Sequence, residues 1–143
     1  MRLLVLDAGV AAKWFLPVSD EPLVEQALDL LRGRAVGEIT LTAPDLFWAE
    51  FASVLRKAVK FRGWPSTSAA VALARMRSEG LSTVPSEGLI EDALAIALDI
   101  GRSVYDCLYI ALARLRGCEF ITADEKLAKA VAPRLPVRWL GAF

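Results

Sequence analysis

The chain opens with the apolar run Leu3-Leu4-Val5-Leu6, which ends at Asp7. An unbroken apolar run of this kind is typical of a strand that is buried on both faces, as the strands of a parallel sheet are. Short apolar runs alternate with segments of helical periodicity along the rest of the sequence. This alternation predicts an α/β domain whose central sheet is mainly parallel and has about five short strands.

The predicted elements span residues 1–143, which we expect to form one domain. Four further strands are predicted at Ile39 to Ala43, Leu81 to Val84, Glu119 to Thr122 and Val137 to Leu140. Predicted helices cover about Val10 to Leu16, Pro22 to Leu31, Asp45 to Phe61, Ser66 or Ser68 to Arg77, Glu87 to Ile100 and Asp124 to Ala132. The third of these is expected to be capped by Asp45. Another helix starts at Ser103, and because it is apolar on all sides from Cys107 to Ala113, we expect it to be buried.

The sequence contains no histidine. This absence excludes Ser-His-Asp triads, Cys-His pairs, histidine-ligated zinc and a histidine general base. The two cysteines, Cys107 and Cys118, lack the spacing of a zinc site, and we expect them to be reduced thiols. Any catalysis must therefore use carboxylates, hydroxyls, amines, thiols or a metal.

The N-terminal segment shows no secretory signal, because Asp7 interrupts its apolar run. No segment approaches the roughly 20 uncharged apolar residues that span a bilayer. We therefore expect a cytoplasmic protein with no membrane partner. The 17 basic and 17 acidic residues cancel, which argues against a uniformly basic nucleic-acid-binding surface but allows local patches.

Four acidic residues stand where ligands bind in a parallel α/β sheet, at strand ends and near the starts of the following helices. They are Asp7, Glu50, Asp106 and Asp124. Each aspartate taken singly could instead cap a helix, and that alternative stays open. Glu50 is different, because it lies beyond the cap of its helix among apolar neighbours, with no basic residue one turn away. Its carboxylate should be solvated, paired or bound to a cation.

Four carboxylates close together would repel and raise one another's pKa values unless a cation neutralised them. Mg²⁺ or Mn²⁺ would do so, since both are hard cations that accept oxygen ligands and require no histidine. Such a metal generates a nucleophile from water and stabilises the charge of a phosphoryl transition state. Metal-assisted hydrolysis of phosphodiester bonds is therefore the predicted reaction class.

Four sequence blocks follow one another along nearly the whole chain. They are Leu3 to Ala8, Glu50 in the helix after Ala43-Pro44-Asp45, Ser103-Val104-Tyr105-Asp106 with its continuation to Ala113, and Phe120-Ile121-Thr122-Ala123-Asp124-Glu125-Lys126-Leu127. In this order they resemble the PIN-domain family, and within it the VapC-type toxins of VapBC toxin–antitoxin modules. Cys107 is a mild departure, since a small residue such as alanine is commoner in the family at that position.

The resemblance implies a PIN-like three-layer α/β/α fold with an acidic quartet that is catalytic and holds Mg²⁺ or Mn²⁺. This acidic quartet is Asp7, Glu50, Asp106 and Asp124, with Thr122 and Ser103 as supporting polar groups. The resemblance also implies an RNA-cleaving endonuclease that forms a homodimer and is inhibited by a small antitoxin. Two alternatives stay open: a catalytically silent PIN-like binding or scaffold protein, and a PIN nuclease of RNA processing outside a toxin–antitoxin module.

Basic residues concentrate directly after Glu50. Residues 51–80 carry six basic and one acidic side chain, whereas residues 1–50 carry four basic and eight acidic ones. The densest run is Arg56, Lys57, Lys60 and Arg62. Because Lys57 lies two turns beyond Glu50 on the same helix face, the run is a candidate for binding RNA phosphates beside the acids. A solvated helix face explains it equally well.

Five aromatic residues crowd the early helices: Trp14, Phe15, Phe47, Trp48 and Phe51. Core packing explains most of them. The remainder could line an exposed groove for an antitoxin helix, which the resemblance implies and the enrichment of aromatic residues at interfaces allows.

Overall fold

The computed structural model describes residues 1–143 and contains one five-stranded sheet. Its strands are β1 Arg2–Leu6, β2 Ile39–Pro44, β3 Ser82–Val84, β4 Glu119–Thr122 and β5 Val137–Trp139. They lie in the order β3-β2-β1-β4-β5, and every neighbouring pair is parallel. The predicted parallel sheet is confirmed, and the apolar side chains of Leu4, Val5 and Leu6 in its central strand are buried.

Seven α-helices flank the sheet and complete a three-layer α/β/α fold. They are α1 Ala8–Ala12, α2 Val24–Ala35, α3 Leu46–Arg62, α4 Ser66–Ser78, α5 Ile90–Ile100, α6 Val104–Arg116 and α7 Glu125–Val131. In α6 every residue from Cys107 to Ala113 is buried, as its apolar sequence predicted. None of the seven has the length and apolar character that crossing a membrane requires.

The chain leaves β1 and β4 in opposite directions. From β1 it passes to β2 and then to β3 on one side, whereas from β4 it passes to β5 on the other side. Because β1 and β4 are neighbours, a crevice opens where the two connections diverge, and ligands bind at such switch points. Asp7 follows β1 directly, and Asp124 lies two residues beyond the end of β4.

The first two helices differ from their predicted bounds. α1 begins at Ala8 because Asp7 caps it directly, and it ends at Ala12 rather than at Leu16. α2 begins at Val24 and continues to Ala35, past the predicted end. Gly33 lies within this helix. A Cβ at Gly33 would lie 2.6 Å from Cδ1 of Ile39, so glycine allows α2 to lie close against β2.

The Asp45 side chain does not cap α3, and that prediction is wrong. Its carboxylate makes no hydrogen bond to the helix and accepts hydrogen bonds from the backbone N–H (3.1 Å) and the hydroxyl of Ser86. β2 and β3 are adjacent, so the residues that follow them meet. Asp45 therefore links the end of β2 to the segment after β3.

Candidate active site

Asp7, Thr122 and Asp124 are linked at the switch point between β1 and β4. The Thr122 hydroxyl donates to Oδ2 of Asp7 at 3.4 Å and accepts from the backbone N–H of Asp124 at 3.0 Å. The Thr122 side chain is buried, so it is held in this position by the sheet. Thr122 thus connects the first and last acids of the quartet, in keeping with its predicted supporting role.

The Asp7 carboxyl lies in an environment that disfavours its charge. Burial raises its pKa from the ordinary value of 3.8 to about 6, and the charges of Glu50 and Asp106 contribute to the rise. The backbone N–H of Gly9, which donates to Oδ1 at 3.4 Å, and the Thr122 hydroxyl act in the opposite direction. Three members of the quartet are therefore close enough to interact electrostatically, although they lie far apart in the sequence.

The N-terminus of α6 brings Asp106 to the site. Ser103 caps this helix by accepting a hydrogen bond from the backbone N–H of Asp106 at 3.1 Å. The Ser103 hydroxyl is therefore engaged in fixing the first turn of α6, which places the half-buried Asp106 side chain beside Asp7. The structure thus places Ser103 at the helix cap, and its supporting role stays a prediction.

Glu50 has a partner that the sequence did not reveal. The Tyr109 hydroxyl, on α6, donates to Oε1 of Glu50, on α3, at 2.6 Å. Tyr109 is buried and stacks on Phe120 with 5.0 Å between ring centroids. Burial and the hydrogen bond to Glu50 raise the pKa of Tyr109 well above its usual range, so the hydroxyl stays protonated. Tyr109 lies one turn beyond Asp106, and this spacing was the only signal that it faces the site.

Asp124 is held by two donors. Its Oδ1 accepts from the backbone N–H of Leu127 at 2.9 Å, so Asp124 caps α7, and its Oδ2 accepts from Nη1 of Arg102, also at 2.9 Å. These two donors hold the pKa of Asp124 below its ordinary value. Asp7 also caps a helix, α1. Asp7 and Asp124 therefore cap helices, as the alternative interpretation predicted, and both also lie at the switch point.

In these side-chain conformations no three acidic or thiol side chains form a group that could hold a metal ion. Glu50 is engaged by Tyr109 and Asp124 by Arg102. The acidic quartet therefore lies at one end of the sheet without forming a closed set of ligands.

The predicted basic run on α3 is exposed, but its members differ. Arg56 and Lys57 make no ion pair and face solvent. Lys60 lies over the ring of Phe61, with 5.2 Å from Nζ to the ring centroid. Arg62 is paired with Glu21 at 2.8 Å and with Asp20 at 3.6 Å. Arg56 and Lys57 are thus the members with guanidinium and ammonium groups free for a ligand.

The aromatic residues divide between core and surface. Phe47 and Phe51 are fully buried and stack on each other, whereas Trp14, Phe15 and Trp48 are partly exposed. An open groove of about 420 Å³ separates the segment after α1 from α4. It is lined mainly by Trp14, Phe15, Trp64, Val71 and Arg75. Core packing therefore explains Phe47 and Phe51, whereas Trp14 and Phe15 line an open groove.

A family profile with the description PIN domain matches residues 4–132. The chain belongs to the PIN domain family. The match runs from β1 through α7 and contains the whole acidic quartet, Thr122 and Ser103. No curated protein matches the chain significantly by sequence.

Solved structures share this PIN fold at low sequence identity. PAE2754 from Pyrobaculum aerophilum is 15% identical, with a TM-score of 0.67 over 99% of this chain and 92% of that chain. VapBC2 from Rickettsia felis, solved bound to a DNA fragment from its promoter, is 14% identical. Its TM-score is 0.63, over 96% of this chain and 98% of that chain. VapC20 from Mycobacterium tuberculosis, a sarcin–ricin loop cleaving toxin, is 16% identical. Its TM-score is 0.63, over 89% of this chain and 94% of that chain.

Proposed function

We propose that this PIN-domain protein is a metal-dependent endoribonuclease that hydrolyses RNA phosphodiester bonds and serves as the toxin of a type II toxin–antitoxin module. The observation that carries the proposal is the position of Asp7, Glu50, Asp106 and Asp124 at one crevice of the sheet. The fold is also that of VapC20, a toxin that cleaves the sarcin–ricin loop, and of VapBC2.

The residues of the acidic quartet fit a hard divalent cation, Mg²⁺ or Mn²⁺, in their chemistry. Their side chains and that of Thr122 offer only oxygen ligands, which such cations prefer. The raised pKa of Asp7 reflects burial first and then repulsion from Glu50 and Asp106, and a bound cation would offset both. When bound, the cation would polarise water for attack and neutralise charge on the scissile phosphate. The quartet would hold it, with Thr122 and Tyr109 orienting Asp7 and Glu50.

Arg56 and Lys57 are the proposed phosphate-binding residues for RNA. Both lie on α3 beyond Glu50, both are exposed, and neither is neutralised by an acidic partner. A basic helix face next to an acidic crevice would hold the RNA backbone while one phosphate reaches the acids. Lys60 lies on the same face of α3, whereas Arg62 lies on another face and is paired with Glu21.

An antitoxin and a second copy of the chain are the proposed protein partners. The groove lined by Trp14, Phe15 and Trp64 supports the first, since aromatic grooves accept apolar helix faces. Ile90, Leu94 and Leu98 support the second, since they lie one turn apart on α5 and are exposed. Light scattering on the purified chain measures whether it is a dimer. If the chain is a toxin, its expression should arrest growth, and coexpression of a small protein from a neighbouring gene should relieve that arrest.

The deciding experiment is RNA cleavage by the purified protein with Mg²⁺ or Mn²⁺, with EDTA in parallel. We expect Asp7→Asn and Asp106→Asn to reduce cleavage by about 100-fold or more, because each removes a cation ligand. Asp29→Asn is the matched control, since Asp29 is an exposed acid on α2. Cleavage that survives both substitutions would refute the assignment of the quartet. A wild type that never cleaves RNA but binds a small protein would favour the silent binding-protein alternative.

A further inference from the structure

Arg102 is the basic residue that pairs with the acidic quartet. The ion pairs of the structure lie mostly on the outer surface, and only one of them includes Asp7, Glu50, Asp106 or Asp124. That one joins Nη1 of Arg102 to Oδ2 of Asp124 at 2.9 Å. A positive side chain therefore contacts one of the proposed metal ligands.

The position of Arg102 is fixed by the fold. It lies between the last residue of α5 and Ser103, the cap of α6, while Asp124 caps α7. The side chains of Arg102 and Asp124 are 30% and 43% exposed, so the pair lies at the surface of the molecule.

The helix cap and the Arg102 pair together engage both oxygens of Asp124. Oδ1 accepts from the backbone of Leu127 and Oδ2 accepts from Arg102. The bond to Leu127 belongs to the helix cap and persists as long as α7 forms. The bond to Arg102 joins two side chains, so it can be exchanged. A cation that bound Oδ2 would share this oxygen with the Arg102 guanidinium, and the repulsion between the two positive charges would favour loss of the Arg102 bond.

We propose that Arg102 is the internal counter-ion of Asp124, which a divalent cation must displace, so that Arg102 sets the metal affinity of the site. This inference rests on the proposed function, because it assumes that the acidic quartet binds a metal. Arg102 acts through Asp124 and is therefore a positioning residue. Its displacement would free a guanidinium beside the proposed reaction centre.

Binding of Mn²⁺ tests this inference directly, since electron paramagnetic resonance of free Mn²⁺ measures affinity without any cleavage. We expect Arg102→Gln to bind Mn²⁺ about two- to fivefold more tightly than the wild type, the range of a partly exposed ion pair. Lys126→Gln is the matched control. Lys126 also lies near Asp124 and is exposed, but it makes no ion pair, so its substitution removes a charge without releasing Asp124.

The result would overturn the inference if Arg102→Gln bound Mn²⁺ no more tightly than the wild type or than Lys126→Gln. Melting temperatures in EDTA would show whether each variant folds. If Arg102→Gln did not fold, Arg102→Met, which keeps an apolar stem, would replace it. A wild type that bound no Mn²⁺ would refute the metal site and this inference together. A wild type that bound Mn²⁺ with unchanged affinity in Arg102→Gln would refute only the role of Arg102.

Discussion

Among single residues, Asp7 is the one whose charge the fold opposes most clearly. Its carboxyl caps α1 and accepts from Thr122, yet burial and the charges of Glu50 and Asp106 raise its pKa to about 6. Near neutral pH the folded chain therefore holds an ionised carboxyl in an unfavourable environment. A site built to bind a cation shows this property, since the cation and not the protein supplies the missing positive charge.

The stability of the metal-free protein should depend on pH through this residue. Between about pH 4 and pH 6 the folded chain keeps the Asp7 proton while the unfolded chain loses it. The free energy of unfolding therefore falls as pH rises through this window. Asp7→Asn keeps a capping side chain without the charge. It should raise the free energy of unfolding by about 1–3 kcal/mol at pH 7.5 in EDTA, and by nothing at pH 4.

Urea denaturation of both proteins across this pH range measures the effect. Glu38→Gln serves as the control, because Glu38 is an exposed acid that makes no ion pair. If Asp7→Asn changed the free energy of unfolding by the same amount at pH 4 and pH 7.5, the ionisation of Asp7 would not be the cause of the change.

At the scale of elements, α6 organises the site. Its cap fixes Asp106, its apolar body packs through the centre of the molecule, and Tyr109 reaches across to Glu50 on α3. Because Tyr109 is buried and stacked on Phe120 in β4, its hydroxyl has little freedom. α6 thus positions one acid that it carries and another that belongs to a different helix.

Tyr109→Phe should separate this positioning role from packing. Phenylalanine keeps the stacked ring but leaves Oε1 of Glu50 without its donor, so we expect cleavage and Mn²⁺ affinity to fall by about 10- to 100-fold. The free energy of unfolding should change by only about 1 kcal/mol. Tyr105→Phe on the same helix is the control, since Tyr105 is exposed and makes no side-chain hydrogen bond. Equal effects of the two substitutions would contradict the role of Tyr109.

At the scale of the whole molecule, a net charge of zero conceals an uneven distribution. Asp7 and Asp124 lie at the crevice between β1 and β4, and the charges of Glu50 and Asp106 act on Asp7, while exposed Arg56 and Lys57 lie on α3. RNA would meet opposite charges on neighbouring surfaces, one to hold its backbone and one to hold the metal. Salt should therefore weaken RNA binding through α3 far more than through the crevice.

The double substitution Arg56→Gln/Lys57→Gln tests this arrangement. In the inactive Asp7→Asn background, we expect RNA affinity to fall by about tenfold and the slope of log affinity against log salt to decrease by about one to two. Arg116→Gln/Arg134→Gln removes two exposed charges elsewhere and should leave both quantities nearly unchanged. Filter binding at several salt concentrations measures both, and an equal loss in the two double variants would rule out a specific RNA face on α3.

The sequence by itself determined the order of strands and helices along the chain and the burial of β1 and α6. It also identified the four acids as candidate site residues. Each of these follows from local pattern, since periodicity and the residue at a strand end are properties of short segments. The tertiary structure decided which neighbours these segments meet. It placed Asp45 against Ser86, allowed α2 to continue past Gly33, and supplied two partners for the acidic quartet.

Those partners come from distant parts of the chain. Tyr109 is 59 residues from Glu50, and Arg102 is 22 residues from Asp124. No spacing rule predicts such contacts, because a side chain contacts a distant residue only after strands have paired and helices have packed. The sequence therefore identified the acids of the candidate site, whereas packing determined that a tyrosine holds one acid and an arginine neutralises another.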